Sequence, residues 1–227
     1  AVEERVSEYI DRTTGVQTLV QMQGLVAMVH EFGYVPAAQV LDAAGYKAQY
    51  NEELMRRVSR RLAGRGTGRV EGGGVAGGAE RFTLRGAVDF LRELRARGVR
   101  LYLASGTDQP DVEREAALLG YAELFEGRVY GAIGDVRHEP KRAVLDRILR
   151  EIGPGEAEAV VTFGDGPVEI QETRRRGGLT VGVASDEKRR QGLNPAKRSR
   201  LIQAGADLIV PDFSEGPELL ALLFAEG

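Results

Sequence analysis

Apolar residues recur along this chain with two different periods, and the change from one to the other divides it. Through the first sixty residues they fall at helical spacing: Val2, Val6, Tyr9 and Ile10, then Val16, Leu19, Val20, Leu25, Val26, Met28 and Val29, then Tyr46, Tyr50, Leu54, Met55 and Val58. This half is predicted to be all helix. From Leu84 onward amphipathic runs alternate with short apolar ones. The pattern predicts helix Leu84–Arg97 and strand Val99–Ala104, helix Asp111–Leu119 and strand Arg128–Ile133, and helix Lys141–Glu151 and strand Ala159–Phe163. Helix Val168–Arg176 and strand Thr180–Ala184 follow, then helix Lys197–Ala204 and strand Leu208–Val210. Gly98, Gly120, Gly153 and Gly177 stand near the predicted helix ends, as C-terminal caps do. Repeated helix and strand units with near-continuous apolar strands imply an α/β fold, a parallel sheet covered on both faces.

The two halves meet at Gly64–Gly78, where glycine dominates and too few apolar side chains remain to build an element. This stretch reads as a connector. No buried strand precedes it and its spacing is not Gly-x-Gly-x-x-Gly, so it does not read as a dinucleotide-binding loop. The expected organisation is a helical domain plus linker over 1–78 and an α/β domain over 79–227.

Composition narrows the function classes. At 227 residues with 42% hydrophobic and 29% charged residues, the chain can bury a full core and reads as soluble and globular. It has no Cys and two His, His30 and His138, which excludes disulfides, thiolate metal sites and His-rich centres. No apolar stretch approaches the roughly 18 residues a membrane span needs, and Ala1-Val-Glu-Glu is acidic where a signal peptide is basic. The expected location is therefore the cytoplasm. A formal net charge of −3 gives no reason to expect nucleic acid. The basic clusters Arg56-Arg57, Arg174-Arg175-Arg176 and Lys188-Arg189-Arg190 have acidic neighbours and read as solvated helix faces.

Three polar pieces follow apolar runs in a fixed order. In Ala104-Ser105-Gly106-Thr107, the Ser105 hydroxyl and the Gly106 N–H can donate to a phosphoryl oxygen, and the next helix points its positive end the same way. Lys141 follows Pro140 in a first helical turn, where the dipole disfavours a cation unless an anion lies in front of it. Gly164-Asp165-Gly166, with Glu169 one turn later, puts two carboxylates within reach of one hard cation. Each piece alone has a plain structural explanation: a cap, a solvated lysine, an acidic helix start. Together, each at a strand or helix end, they read as a phosphate and Mg²⁺ site at the crest of a parallel sheet.

With these residues the chain resembles the haloacid dehalogenase superfamily, in particular the phosphoglycolate-phosphatase-like branch with a helical cap. The resemblance covers Leu84 to about Phe213, and residues 1–64 resemble the helical cap more loosely. It implies a Rossmann-like core and makes Ser105 the phosphate-binding hydroxyl, joined by Gly106. It makes Lys141 the lysine that neutralises phosphate and positions the nucleophile, so Ser105 and Lys141 are the catalytic candidates. Asp165 and Glu169 become the Mg²⁺ ligands. The implied activity is hydrolysis of a small phosphorylated metabolite, with a phosphomutase sharing the same core.

One expected part is absent from these 227 residues. The family carries its nucleophile in an Asp-x-Asp-x-Thr motif on a first central strand before the cap, and no Asp-x-Asp occurs here. Asp11, in Ile10-Asp11-Arg12-Thr13-Thr14, follows an amphipathic segment instead of a buried strand. Asp212 follows Leu208–Val210 but lacks a second carboxylate. Two readings follow: a phosphatase that is inactive and binds Mg²⁺ weakly as this chain alone, or a non-catalytic phosphate-binding or regulatory domain. The missing strand would lie between the strand ending near Ser105 and the one ending near Asp165. Either those two pair directly, or the slot is filled by a strand from a partner chain or a preceding segment or left open, or the chain is only marginally folded on its own; a filled or open slot is expected, because direct pairing would crush the phosphate pocket. Secondary candidates are Asp135, His138 and Glu139 in the loop before Lys141, read as solvated. His30 reads as a helix C-terminal cation, and Gln17, Gln21, Gln23, Thr13, Thr14 and Thr18 form a polar helical run.

Overall fold

The computed structural model describes residues 2–13, 18–63, 82–133, 140–153, 155–186, 189 and 192–225. The connector at 64–78 lies outside them, as do Thr14, Gln17, Asp135, His138 and Glu139. The chain divides into two compact units, residues 1–73 and 74–227.

The first unit contains α1 (Val2–Thr13), α2 (Thr18–Phe32) and α3 (Ala43–Ala63), and among its described residues it is helical throughout, apart from turns and one short 3₁₀ segment. Tyr9 and Gln21 hold α1 to α2: the Tyr9 hydroxyl donates to the Gln21 carbonyl at 3.3 Å, and Gln21 Nε2 donates to the Thr13 carbonyl at 2.9 Å. Two members of the polar run thus fasten helix to helix. Asp11 lies inside α1, not at a strand end, and His30 lies in the last turn of α2.

The second unit alternates helix and strand: α4 (Ala87–Ala96), β1 (Leu103–Asp108), α5 (Gln109–Leu118), β2 (Val129–Ala132), α6 (Pro140–Ile152), β3 (Val161–Gly164), α7 (Pro167–Arg174), β4 (Leu179–Val183), α8 (Pro195–Ala204), β5 (Leu208–Val210) and α9 (Gly216–Leu223). All strand pairings are parallel. The alternation of α/β units is the one expected from the sequence. Phe90, Leu94, Val112, Val129, Leu219 and Leu220 anchor one core cluster, and Ile170, Ala184, Leu201 and Ala204 a second.

The parallel strands form two sheets: β1-β2, and β3-β4-β5. Among the described residues β1 and β3 share no ladder. Between them lies a cavity of about 620 Å³, lined by Leu101, Leu103, Val161 and Phe163 from the strand segments and by Leu145 and Ile148 from α6. Helix α6 packs against β1, β2 and α7 and so links the two sheets. Among the described residues, no strand fills the slot between the strands carrying Ser105 and leading to Asp165.

β1 departs from its expected bounds. The apolar run predicted a strand over Val99–Ala104 ending near Ser105; the strand instead begins at Leu103 and continues to Asp108. Leu103 pairs with Val129, so the residues opposite Val99–Tyr102 precede β2, where Glu126 (φ 49°) and Gly127 (φ 80°) are left-handed. The 3₁₀ turn Ala122–Phe125 and these two residues offer Val99–Leu101 no strand to pair with. At the other end Ala104 pairs with Tyr130 and Asp108 with Ala132, four residues advancing against two. Ser105, Gly106 and Thr107 occupy that irregularity, where extra residues bend a strand and break its ladder.

Candidate functional site

The turn from β3 into α7 is built around Glu169. Parallel pairing with β4 carries β3 as far as Gly164, opposite Gly182. The Phe163 ring lies 5.4 Å from that of Phe90 and 5.8 Å from that of Phe213, which fixes the strand end. Pro167 then opens α7, its ring suited to a first turn that needs no N–H. Glu169 folds back over this turn and accepts from the Gly166 N–H on Oε1 at 3.0 Å. One otherwise orphaned helix donor is satisfied in this way. Side chains at the two glycines would invade the same space: a Cβ on Gly164 would stand 2.2 Å from Glu169 Cγ, and one on Gly166 3.1 Å from Oε2.

Two lysines converge on this turn from other helices. Lys141, second residue of α6, donates from Nζ to Glu169 Oε1 at 2.8 Å. Lys197, third residue of α8, donates to Asp165 Oδ2 at 3.2 Å. Each stands in a first turn where the helix dipole opposes a cation, and each meets a carboxylate that offsets the cost. Glu169 is 5% exposed, and its Oε2 is buried with no hydrogen-bond partner among the described residues. Asp165 is half exposed and lines the same cavity as Lys141 and Glu169.

A charged network holds α6 beside α7. Glu172 is buried and pairs with Arg142 of α6 at 3.3 Å and with Arg175 and Arg176 at 2.7 Å; Arg176 also reaches Asp146 of α6. The Arg176 hydrogen bond, aided by the three nearby positive charges, holds the Glu172 carboxyl below its ordinary range against the opposing effect of burial. Because Arg142 adjoins Lys141, this network sets the position of Lys141 opposite Glu169.

The structure thus brings Lys141, Asp165 and Glu169 to one end of the slot. Ser105 and Gly106 do not line the cavity, although Leu103 and Ala104 just before them do. The Ser105 hydroxyl accepts from the Thr107 N–H at 3.2 Å, inside the β1 irregularity. Among the described residues no group of three His, Cys, Asp or Glu side chains is placed to hold a metal ion. The residues still fit Mg²⁺, which keeps several waters and commonly takes one or two protein carboxylates beside substrate phosphate. The orphaned Oε2 of Glu169 is the observation that supports the fit. Asp212 instead caps its own turn, accepting from the Ser214 N–H at 2.8 Å.

Lys197 was not singled out by the sequence reading. The signal was available: Asn194-Pro195-Ala196-Lys197 places a lysine in a first turn behind a helix-capping Asn and a Pro, the same anomaly that marked Lys141.

Comparison with known proteins places the chain in a family. A family model for haloacid dehalogenase-like hydrolases matches residues 8–175, well over half the chain. This chain belongs to the haloacid dehalogenase-like hydrolases. Two solved structures of low sequence identity share the fold. A proposed phosphatase of Clostridium difficile is 14% identical, with 94% of this chain and 81% of that one covered and a TM-score of 0.59. A predicted phosphoglycolate phosphatase of Haemophilus somnus is 15% identical, with 96% and 90% covered and a TM-score of 0.58. A haloacid dehalogenase family hydrolase of Deinococcus radiodurans, solved with bound phosphate and sodium, is 21% identical over 62% of this chain, at a TM-score of 0.49; this chain spans 59% of its length. No curated protein sequence matches the chain.

Proposed function

We propose that this haloacid dehalogenase-like chain is the core and helical cap of a Mg²⁺-dependent phosphatase acting on a small, soluble phosphomonoester. The observation that carries the reading is the meeting of Lys141, Asp165 and Glu169 at the polar end of an open slot between two parallel sheets. Residues 1–73 are the cap and 74–227 the catalytic core. Lys141 neutralises a phosphoryl oxygen, and Ser105 Oγ–H and Gly106 N–H donate to others; Asp165 and Glu169 would hold the metal. When bound, Mg²⁺ supplies charge neutralisation at the phosphoryl oxygens. Oriented donors and cations of this kind stabilise a transferring phosphoryl group. The slot would take an extended segment, from a preceding stretch of chain or a partner, whose terminal Asp carboxylate attacks phosphorus as the bond to the leaving alcohol oxygen breaks; water then cleaves the aspartyl-phosphate to free phosphate and the carboxylate.

A cytoplasmic location suits that substrate class; among the described residues no helix is long and apolar enough to cross a membrane. One alternative is a phosphate-binding domain without turnover.

A p-nitrophenyl phosphate assay separates the two. The 227 residues alone are expected to be inactive. Extending them at the N-terminus with an apolar strand ending in Asp-x-Asp is expected to give Mg²⁺-dependent turnover that Asp165→Ala abolishes. No turnover in the extended chain refutes the enzyme reading, and Asp165-dependent turnover by the present residues refutes the need for a strand.

A further inference from the structure

Lys141 and Lys197 look alike in sequence position, yet their partners differ in a way that assigns them separate work. The Glu169 oxygen that receives Lys141 also receives the Gly166 N–H, so that pair is part of the α7 cap. Asp165 stands free of that cap, with a side chain 53% exposed, and Lys197 is its side-chain partner among the described residues. The lysine itself is enclosed, 13% exposed, so its ammonium is held in place by its surroundings. Among the described residues, two carboxylates of this turn therefore meet two ammonium groups.

We propose that Lys197 is the resident counter-ion of Asp165, which a divalent cation must displace to bind. The inference rests on the proposed Mg²⁺ site. A cation approaching Asp165 meets an ammonium 3.2 Å from Oδ2 and either repels it or takes its place. Metal affinity is set below what Asp165 and Glu169 would give alone, and Asp165 is kept paired while the site holds no metal. The displaced ammonium, still on the first turn of α8, is left beside the site as a second cation for substrate phosphate.

The test is titration of the 227-residue chain with Mn²⁺, read by loss of the free-ion electron paramagnetic resonance signal, with no turnover needed. Lys197→Met keeps the packed stem and removes the charge; it is expected to tighten Mn²⁺ binding about tenfold, equivalent to ~1.4 kcal/mol. Lys197→Arg, which keeps the charge, is expected to stay within about threefold of the parent. Unchanged or weaker binding by Lys197→Met, in a variant whose circular dichroism matches the parent, overturns the proposal. Lys197→Gln repeats the charge removal if the Met variant does not fold. Asp165→Asn separates the two levels of the argument: wild-type Mn²⁺ affinity in that variant overturns the metal site itself and this proposal with it. Loss of binding there, with no gain in Lys197→Met, overturns the counter-ion role alone.

Discussion

Replacing Lys141 by Met leaves the apolar stem on α6 and takes away the ammonium that meets Glu169 Oε1 at 2.8 Å. The carboxylate is then buried with the Gly166 N–H on one oxygen and nothing on the other. At an effective dielectric of about 20 the Coulomb attraction across this distance is roughly 6 kcal/mol, most of it offset by desolvation of the two ions. Lys141 is 34% exposed, so water screens the pair, and the loss should fall below the ~3–5 kcal/mol seen when fully buried pairs are broken. Removing a cation from a first helical turn returns ~0.3–1 kcal/mol. The net expectation is destabilisation by about 2 kcal/mol. Urea unfolding of Lys141→Met, Glu169→Gln and the double variant measures it as a cycle. The double variant should be more stable than the sum of the single losses by about 1 kcal/mol or more. A single-variant loss below ~0.5 kcal/mol, or simple additivity, would refute the reasoning.

Other outcomes follow from the same turn and its supports. Gly164→Ala drives a Cβ to 2.2 Å from Glu169 Cγ, so Glu169 must move; a cost of ~1–3 kcal/mol and weakened phosphate binding are expected, and a crystal structure with Glu169 unmoved would contradict this. Glu172 and Asp207 both have folded-state carboxyls held below the ordinary range, Glu172 chiefly by its Arg176 hydrogen bond and Asp207 by the Thr180 hydroxyl. Their stabilisation is complete above the unfolded values of ~4 and is lost as pH falls through the lower folded values. Urea midpoints measured from pH 6 to pH 3 should therefore decline, and Glu172→Gln should flatten the decline. Glu115, raised by burial and then by Asp111, acts in the opposite sense, gaining stability as it protonates; an unchanged slope in Glu172→Gln would refute the assignment to Glu172.

Much of the fold was legible because its signals are local. Helical spacing found α1, α2 and α3, and the alternation of periods found the strands and helices from α4 to β5. The register of β1 was not legible: it depends on where β2 begins, and Glu126 and Gly127 shorten β2 through backbone conformation that the apolar run at Val99–Tyr102 does not register. The C-terminal helix α9 was also missed, although Glu215-Gly216-Pro217-Glu218 marks a helix start before Leu219 and Leu220. At the site, spacing along the chain joined Asp165 to Glu169, since both lie on one turn. The Lys197–Asp165 contact joins residues 32 positions apart and exists only once β4 and α8 are packed, so spacing alone could not give it.

On the proposed function, Lys141, Asp165 and Glu169 form one phosphate and Mg²⁺ site with Ser105 and Gly106. A crystal grown with inorganic phosphate and MgCl₂ tests it most directly. Phosphate within hydrogen-bond distance of Lys141 Nζ, Ser105 Oγ and the Gly106 N–H, with a metal on Asp165, is the predicted result. Phosphate bound away from these residues, or Lys141 still closed on Glu169 with Ser105 turned from the anion, would contradict it.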